Sequence, residues 1–357
     1  MSNKLLHFIV FSLAGLAVFL GGYLFSRKSD PLGQQALINN SLVNRFDKAE
    51  EKYQAPSGLF ELTSGEASFP HISIAGEILY YLPKSGEIRS LSVAAPVAGT
   101  TLVAKIQPGA SRIDWATNNT LLANYPTGAI FYDLKSNFSK KYDPLIKNPS
   151  LSRVGDKIAY TYFNPESDEG NISIADPRME SFKNILPTRF SGWQIKWLSD
   201  NKLALIKPPT LENTHLSLFT LNSESGALEN ILEFRNNLQI AWSENGQKIL
   251  YSYTDPATQV NQLYFMDMVT KTEVSLGSQL EALKCAWSIN GKTIYCLGGK
   301  SLFSFDTSAS GTQPKEITSL DSSTAIANAV HPILTSIEDY IIFKSSKDGK
   351  LYGLKIN

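Results

Sequence analysis

Apolar and polar positions alternate along most of the chain in pieces of strand length, separated by short polar turns. The clearest piece covers residues 240–251, where an apolar strand ending in Trp242 is followed by a polar turn and a second apolar strand starting at Ile249. Asn245 and Gly246 in this turn favour the positive φ that a tight hairpin requires. The pattern therefore predicts a β-hairpin.

The same hairpin pattern recurs along the chain. Residues 285–295 repeat it almost residue for residue, residues 195–205 and 113–122 repeat it more weakly, and three further copies are looser. The positions equivalent to Trp242 are, in chain order, Ile72, Trp115, Leu151, Trp197, Trp242, Trp287 and Leu334. They are 36 to 47 residues apart, near the period of four-stranded propeller blades. The sequence therefore predicts an all-β fold, a seven-bladed β-propeller over residues 58–357.

The two ends of the predicted propeller complement each other. Residues 351–356 form only the third strand of the seventh blade, while residues 59–63 form an additional strand before the first repeat. Pairing between them would complete the blade and leave no open edge. We therefore expect an N-terminal strand to close the ring.

The amino-terminal region has a different pattern. Residues 5–25 form an apolar run of the length that a helix needs to span a bilayer. Without a small-residue cleavage motif, the run favours an uncleaved transmembrane anchor over a removed signal peptide. We assign residues 1–28 to this anchor. The basic residues on either side do not fix its orientation, but an anchor before a large β domain is typical of export, so we expect the propeller to be extracytoplasmic, in the periplasm or at the cell surface.

Residues 29–57 follow a helical pattern. Their apolar positions, which are three or four residues apart, are Ile38, Leu42, Phe46, Ala49 and Tyr53. This spacing predicts a short amphipathic juxtamembrane helix. Its apolar stripe is explained either by a stalk that rests on the propeller or by a surface for self-association or partner binding.

Charge and motifs narrow the possible functions. The formal net charge is zero, so no basic field is present and we expect no nucleic-acid partner. The chain lacks the motifs of serine hydrolases, zinc peptidases and phosphate-binding loops. The sequence therefore predicts no catalytic residue, no cofactor and no metal site.

An acidic loop at residues 164–171 lacks the closing Glu of a calcium loop, and we interpret it as a solvated hairpin tip.

The two cysteines fall in one predicted hairpin. Cys285 lies two residues before Trp287, and Cys296 lies two residues after Ile294. If the turn keeps Trp287 opposite Ile294, the cysteines also face each other and can form a disulfide. Such a bond would be consistent with an oxidising compartment. Two buried thiols in a sheet are the alternative interpretation.

Two histidines are candidates for a site in the channel. His71 and His331 fall near the innermost strands of the adjacent first and seventh blades, where they could meet at one channel mouth as metal ligands or acid–base groups. The alternative is two partly exposed structural histidines. The tryptophans recur at the blade period, so we interpret them as packing residues rather than ligand platforms.

Residues 242–249 and 287–294 resemble the repeat of TolB-type β-propellers, whose consensus is close to Trp-Ser-Pro-Asp-Gly-Lys-x-Ile. Residues 59–73 also resemble the strand that passes between blades in that family. The resemblance implies a periplasmic or cell-surface binding scaffold, or the propeller half of a peptidase or lyase. The turns here lack Pro, and seven blades differ from the six of TolB itself, so partner contacts do not transfer.

From these observations we expect a non-enzymatic, membrane-anchored scaffold that binds a protein or glycan partner in the cell envelope. Propellers bind at the channel mouths because loops from all blades converge there. The alternative is a lyase or hydrolase that acts on a cell-envelope polymer at one channel mouth, with His71 or His331 as the acid–base residue. The sequence specifies neither the partner nor the oligomeric state.

Overall fold

The protein is a seven-bladed β-propeller. The computed structural model describes residues 58–93, 99–117, 119–208, 215–308, 313–319 and 324–356. These residues form seven four-stranded antiparallel sheets, as the seven copies of the hairpin predict. The predicted transmembrane segment and stalk helix lie outside the described residues. No helix within the described ranges combines the length and apolar character needed to cross a bilayer.

The strands of each blade follow one another in the chain, and the first strand of each repeat lies innermost. Blade 1 contains β2 (Ser68–Ile72), β3 (Ile78–Tyr81), β4 (Glu87–Leu91) and β5 (Thr101–Lys105). Blade 2 contains β6 (Arg112–Trp115), β7 (Thr120–Tyr125), β8 (Gly128–Asp133) and β9 (Phe138–Lys141). Blade 3 contains β10 (Ile146–Leu151), β11 (Ile158–Asn164), β12 (Glu169–Ala175) and β13 (Phe182–Thr188). Blade 4 contains β14 (Gln194–Ser199), β15 (Lys202–Lys207), β16 (Leu216–Asn222) and β17 (Leu228–Arg235).

The remaining blades follow the same plan. Blade 5 contains β18 (Gln239–Trp242), β19 (Lys248–Thr254), β20 (Asn261–Asp267) and β21 (Glu273–Ser278). Blade 6 contains β22 (Cys285–Trp287), β23 (Thr293–Gly298), β24 (Ser301–Asp306) and β25 (Lys315–Ser319). Blade 7 contains β26 (Ala329–Leu334), β27 (Tyr340–Ser345), β28 (Leu351–Lys355) and, from the other end of the propeller, β1 (Leu59–Glu61). A 3-10 turn at Ala282–Lys284 precedes β22, and the short helix α1 (Thr324–Ala327) precedes β26.

The ring is closed by the strand predicted to close it. β1 pairs antiparallel with β28, with Phe60 opposite Gly353. The Phe60 ring packs edge-on against Tyr340, with 5.6 Å between the ring centroids. Gly353 makes room for this ring, because a Cβ at position 353 would lie 2.5 Å from Phe60 Cζ. The packing of one aromatic ring therefore supports the backbone pairing that joins the two ends.

The turns between the first two strands of the blades share one backbone form. In six of the seven turns the fourth residue has positive φ: Gly76, Asn119, Gly155, Gly246, Gly291 and Glu338, with φ of 79°, 62°, 79°, 66°, 66° and 58°. The first residue accepts a bond from the fourth, as Ser243 O does from Gly246 N at 2.9 Å. Gly246 has positive φ but Asn245 does not, so the hairpin is not the two-residue Asn-Gly turn that the sequence suggests.

Three inner strands carry a bulge that the sequence analysis did not predict. Phe69, Asn148 and His331 have positive φ, each precedes a proline, and the strand pairing shifts register at each. These strands belong to blades 1, 3 and 7, the three blades without Trp at the repeated position. The repeat therefore has two forms, a bulged Pro form and a straighter Trp form.

Three of the four tryptophans at the repeated position connect neighbouring blades. Trp115 Nε1 donates to Phe69 O at 2.9 Å, Trp197 Nε1 donates to Ser150 O at 3.0 Å, and Trp287 Nε1 donates to Ala241 O at 3.2 Å. In each case the acceptor lies on the inner strand of the preceding blade. The tryptophans are packing residues, as their period indicated.

Candidate functional site

The inner strands enclose a central cavity of about 1440 Å³, which is the candidate functional site. The cavity is larger than the roughly 300–1,000 Å³ typical of small-molecule pockets. Because strand residues alternate in direction, every second residue of an inner strand faces the channel. The chemistry of the cavity therefore depends on a few positions that the repeat places at the same height.

The channel has one polar wall and one apolar wall. The residue just before the repeated Trp position lines the cavity as His71 in blade 1, Lys196 in blade 4, Ala241 in blade 5, Ala286 in blade 6 and Ile333 in blade 7. At this position of the repeat, blades 5 to 7 thus contribute small or branched apolar side chains, which leave room in the channel. Arg112 and Lys196 line the cavity from the other side of the ring, and His331 and Lys344 of blade 7 line it at other positions.

An ion pair on the polar wall links blades 2 and 3. Arg112 Nε lies 3.1 Å from Asp114 Oδ1 without hydrogen-bond alignment, while Arg112 Nη2 donates to Asp114 Oδ2 at 3.2 Å. Arg112 also donates to Pro149 O, and Leu151 N donates to Asp114 Oδ2 at 3.4 Å. The Asp114 carboxylate is therefore occupied by Arg112 and the backbone of blade 3.

Lys196 projects from β14 into the cavity. Its side chain is surrounded by protein yet open to water, because the channel is wide enough for solvent. It makes no hydrogen bond or ion pair with any described residue. Burial lowers the pKa of Lys196, since desolvation disfavours the charged ammonium; Asp114 opposes this change in pKa and Arg112 adds to it.

The two candidate histidines line the same cavity at different depths. His71 lies one residue before the repeated position, and its ring stacks on Trp115 with 5.6 Å between centroids and 8° between planes. Burial lowers the pKa of His71 to about 4. His331 lies three residues before the repeated position, and its pKa is lowered by burial and then by the charges of Lys344 and Lys196. Among the described residues, no three His, Cys, Asp or Glu side chains are grouped to hold a metal ion.

The two cysteines are register partners in blade 6. Cys285 on β22 pairs with Cys296 on β23, and their sulfur atoms lie 2.11 Å apart as a disulfide. Both residues are buried, and Cys285 belongs to the apolar wall of the channel. Trp287 also lies opposite Ile294, so the condition on which the predicted disulfide depends is met.

The inner turns form a rim around one mouth of the channel. Their second residues all line the cavity: Ile74, Thr117, Arg153, Glu244, Ile289 and Ser336. Arg153 of blade 3 forms an ion pair with Glu244 of blade 5, passing over the shorter blade-4 turn between Ser199 and Lys202. The blade-3 to blade-5 side of the rim is therefore charged and internally paired.

The opposite side of the rim is apolar. Ile74, Ile289 and Ile337 of blades 1, 6 and 7 are 79%, 50% and 78% exposed, and they are the exposed isoleucines among the residues that the structure describes. We call these three residues the isoleucine patch. Their turns touch: Ile289 N donates to Glu338 Oε1 at 2.6 Å, and a Cβ on Gly76 would lie 3.3 Å from Ser336 Oγ. The patch therefore borders the apolar wall of the channel.

The comparisons with known proteins agree on the fold. No protein-family model and no curated protein sequence matches the chain. Among solved structures, it is similar to an oligogalacturonate lyase in complex with manganese, with 13% identity over 85% of this chain and 95% of that chain and a TM-score of 0.62. The Cps50 (Swd1) propeller domain of Myceliophteria thermophila is 10% identical over 85% and 100% of the two chains, with a TM-score of 0.57. The shared feature is the β-propeller.

TolB from Acinetobacter baumannii is also a structural neighbour, with 12% identity over 79% of this chain and 64% of that chain and a TM-score of 0.46. Of these three neighbours, the two with TM-scores above 0.5 are a lyase and a propeller domain that is not described as an enzyme. At these identities the likeness extends to the fold and to no residue of the channel.

Sequence reasoning identified the histidines and cysteines but missed Lys196 and the isoleucine patch. Lys196 stands just before Trp197, at the same repeat position as His71, so alignment of the repeats carried the signal for a channel-facing cation. The isoleucines interrupt turns that are otherwise polar. Apolar side chains at the tips of polar turns were the missed signal for an interaction surface.

Proposed function

We propose that this chain is a non-enzymatic binding propeller that is anchored in a membrane through residues 5–25 and presents its turn rim to a protein partner outside the cytoplasm. The observation that carries the proposal is the isoleucine patch. Burying an exposed Ile side chain contributes about 1.5–3 kcal/mol, so three together supply a useful part of a binding energy. Clustered exposed apolar side chains mark interaction sites.

The rim is suited to binding because it is held in place before a partner arrives. The Arg153–Glu244 ion pair connects the blade-3 and blade-5 turns on one side of the rim. The hydrogen bond from Ile289 N to Glu338 Oε1 fixes the other side. A surface that is already ordered loses little conformational entropy on association.

The chemistry of the patch favours a protein over a glycan partner. Sugars are recognised through hydrogen-bonding groups and aromatic faces, whereas the patch offers isoleucine methyl groups. The extracytoplasmic location is supported by the Cys285–Cys296 pair, because disulfides persist mainly in oxidising compartments.

Photo-crosslinking of the full chain in its native membranes tests the proposal. A photoreactive residue is placed at Ile337, and a matched control is placed at Val269, which is 75% exposed in the turn between β20 and β21. We expect one protein to crosslink from position 337 and not from 269, and the Ile74→Asp substitution to abolish that crosslink. Equal capture from both positions, or a crosslink that is insensitive to Ile74→Asp, would contradict the proposal.

A further inference from the structure

The middle of the channel carries more positive than negative charge. Lys196 from blade 4, Arg112 from blade 2 and Lys344 from blade 7 line the cavity. The carboxylates of Glu66, Glu244 and Asp348 also line it, but each has a contact of its own, with Lys84, Arg153 and the Tyr352 hydroxyl respectively. Lys344 Nζ donates to the neutral Ser68 Oγ at 2.7 Å, so its charge has no carboxylate partner in that contact. Asp114 is the carboxylate that acts on Lys196, and Arg112 already engages it. Asp114 can therefore offset about one of these three cations.

These cations influence one another across the ring. Lys344 and Lys196 both disfavour protonation of His331 on blade 7, and Arg112 disfavours protonation of Lys196. Like charges that act on one another in a partly desolvated space are costly unless an anion compensates them. An anion bound between these cations would reduce their mutual repulsion.

The space around Lys196 is open enough for a ligand. Ala241 and Ala286 of the apolar wall have small side chains and line the same cavity of about 1440 Å³. The low polarity of that wall strengthens a charge–charge contact. The Lys196 ammonium keeps its donors available, because no described residue accepts a hydrogen bond from it.

We propose that the channel is an anion-binding site in which Lys196 is the recognising cation and Arg112 and Lys344 supply the surrounding positive potential. The ligand presents a carboxylate or a phosphate group, whose oxygens accept the charge-assisted hydrogen bonds of the ammonium. This inference goes beyond the proposed function, because the site lies inside the channel and does not depend on what binds the isoleucine patch.

Thermal unfolding of the full chain with added anions tests the site. Sodium phosphate, sodium succinate and sodium chloride are compared at equal ionic strength, because a ligand that binds the folded state raises the unfolding midpoint. We expect phosphate or succinate to raise the midpoint above the chloride value, and the choice between them identifies the ligand group. Equal midpoints in all three salts would overturn the proposal.

Three variants locate the effect. Lys196→Met should weaken the apparent affinity for the effective anion at least about tenfold, as loss of a charge-assisted hydrogen bond implies, while Lys196→Arg should retain binding. Lys141→Met removes the same charge from the exposed outer strand β9 and should leave binding unchanged.

If Lys196→Met fails to fold, ¹³C-methylated lysine spectra of the wild type and of Lys196→Arg provide the readout. The signal of Lys196 is the one that is present in the wild-type spectrum and missing from the Lys196→Arg spectrum. Its chemical shift should change as the anion is added and reach a plateau at saturation. An anion response that persists in Lys196→Met, or the absence of such a lysine signal, would overturn the assignment.

Discussion

The indole of Trp115 donates a hydrogen bond from Nε1 to the main-chain oxygen of Phe69, 2.9 Å away. Phe69 is the positive-φ residue of the bulge in β2. Trp197 Nε1 likewise donates to the main-chain oxygen of Ser150, which directly follows the bulge of β10. In blades 1 and 3 a Pro-containing bulge therefore presents a carbonyl to the tryptophan of the next blade, whereas Trp287 donates to Ala241 O on the unbulged inner strand of blade 5.

Replacing Trp115 by Phe should lower the free energy of unfolding by about 1–2 kcal/mol. The substitution keeps an aromatic ring but leaves the partly buried Phe69 carbonyl without its donor, and the loss of a hydrogen bond has a cost of this size. Chemical denaturation monitored by circular dichroism measures the change.

Trp242→Phe is the matched control for this prediction. Trp242 occupies the same repeat position and lines the cavity, but its indole nitrogen donates to no described residue. We expect a smaller loss of stability than for Trp115→Phe. Equal losses would show that ring size, and not the hydrogen bond between blades, sets the cost.

Gly353→Ala should destabilise the closing blade by about 1–3 kcal/mol, as expected for overpacking. The added Cβ would lie 2.5 Å from Phe60 Cζ, so the ring that packs on Tyr340 must move. Gly65→Ala is the control, because a Cβ there would meet nothing within 4 Å. A Gly353→Ala protein as stable as Gly65→Ala would mean that Phe60 does not hold the ring closed. The comparison is made by chemical denaturation.

The Cys285–Cys296 disulfide should stabilise the protein by up to about 3 kcal/mol, the value that chain-entropy arguments give for a loop of this length. The two cysteines are 11 residues apart. A reductant should therefore lower the unfolding midpoint of protein purified from its native compartment. The Cys285→Ala/Cys296→Ala double variant should not respond to the reductant. Two free thiols in that protein, counted by mass spectrometry, would contradict the prediction.

Acid should destabilise the protein through His71. Burial lowers the pKa of His71 from 6.5 to about 4, so the unfolded state binds the proton first as the pH falls. The stabilisation is complete above about pH 6.5 and is lost between about pH 6.5 and 4, up to about 3 kcal/mol in total.

His71→Phe isolates this effect, because Phe can keep the stack on Trp115 but does not titrate. His331, whose pKa is also lowered, remains in both proteins and cancels in the comparison. We expect the free energy of unfolding of the wild type to fall more steeply than that of His71→Phe between pH 7 and 4.5. Parallel pH profiles, measured by urea denaturation, would refute the assignment to His71.

Much of the fold follows from repetition in the sequence. Seven copies of one hairpin predict seven blades, and the unpaired strand at residues 59–63 predicts the pairing that β1 makes with β28. These inferences need only the alternation of apolar and polar residues along each strand and a count of the strands. The predicted anchor and stalk at residues 1–57 lie outside the described residues and stay predictions.

The bulges and the channel chemistry were harder to predict. The positive φ of Asn148 before Pro149 depends on the neighbouring blade, since Asn148 Nδ2 donates to Trp193 O at 2.9 Å. The charge around Lys196 depends on ring geometry that brings blades 2, 4 and 7 together, although their residues are far apart in sequence. The prolines and the repeat position of Lys196 are visible in the sequence, but the contacts between blades are not.

The pairing of β1 with β28 has a consequence for the order in which the protein folds. Leu351 N donates to Thr63 Oγ1 across 288 positions, whereas each of the other six blades is built from adjacent hairpins. Closing so long a loop in a disordered chain costs about 3 kcal/mol more than closing a ten-residue one, and distant contacts slow folding. We expect blade 7 to assemble after its neighbours have brought the two segments together, and to be the first blade whose amide hydrogens exchange with solvent.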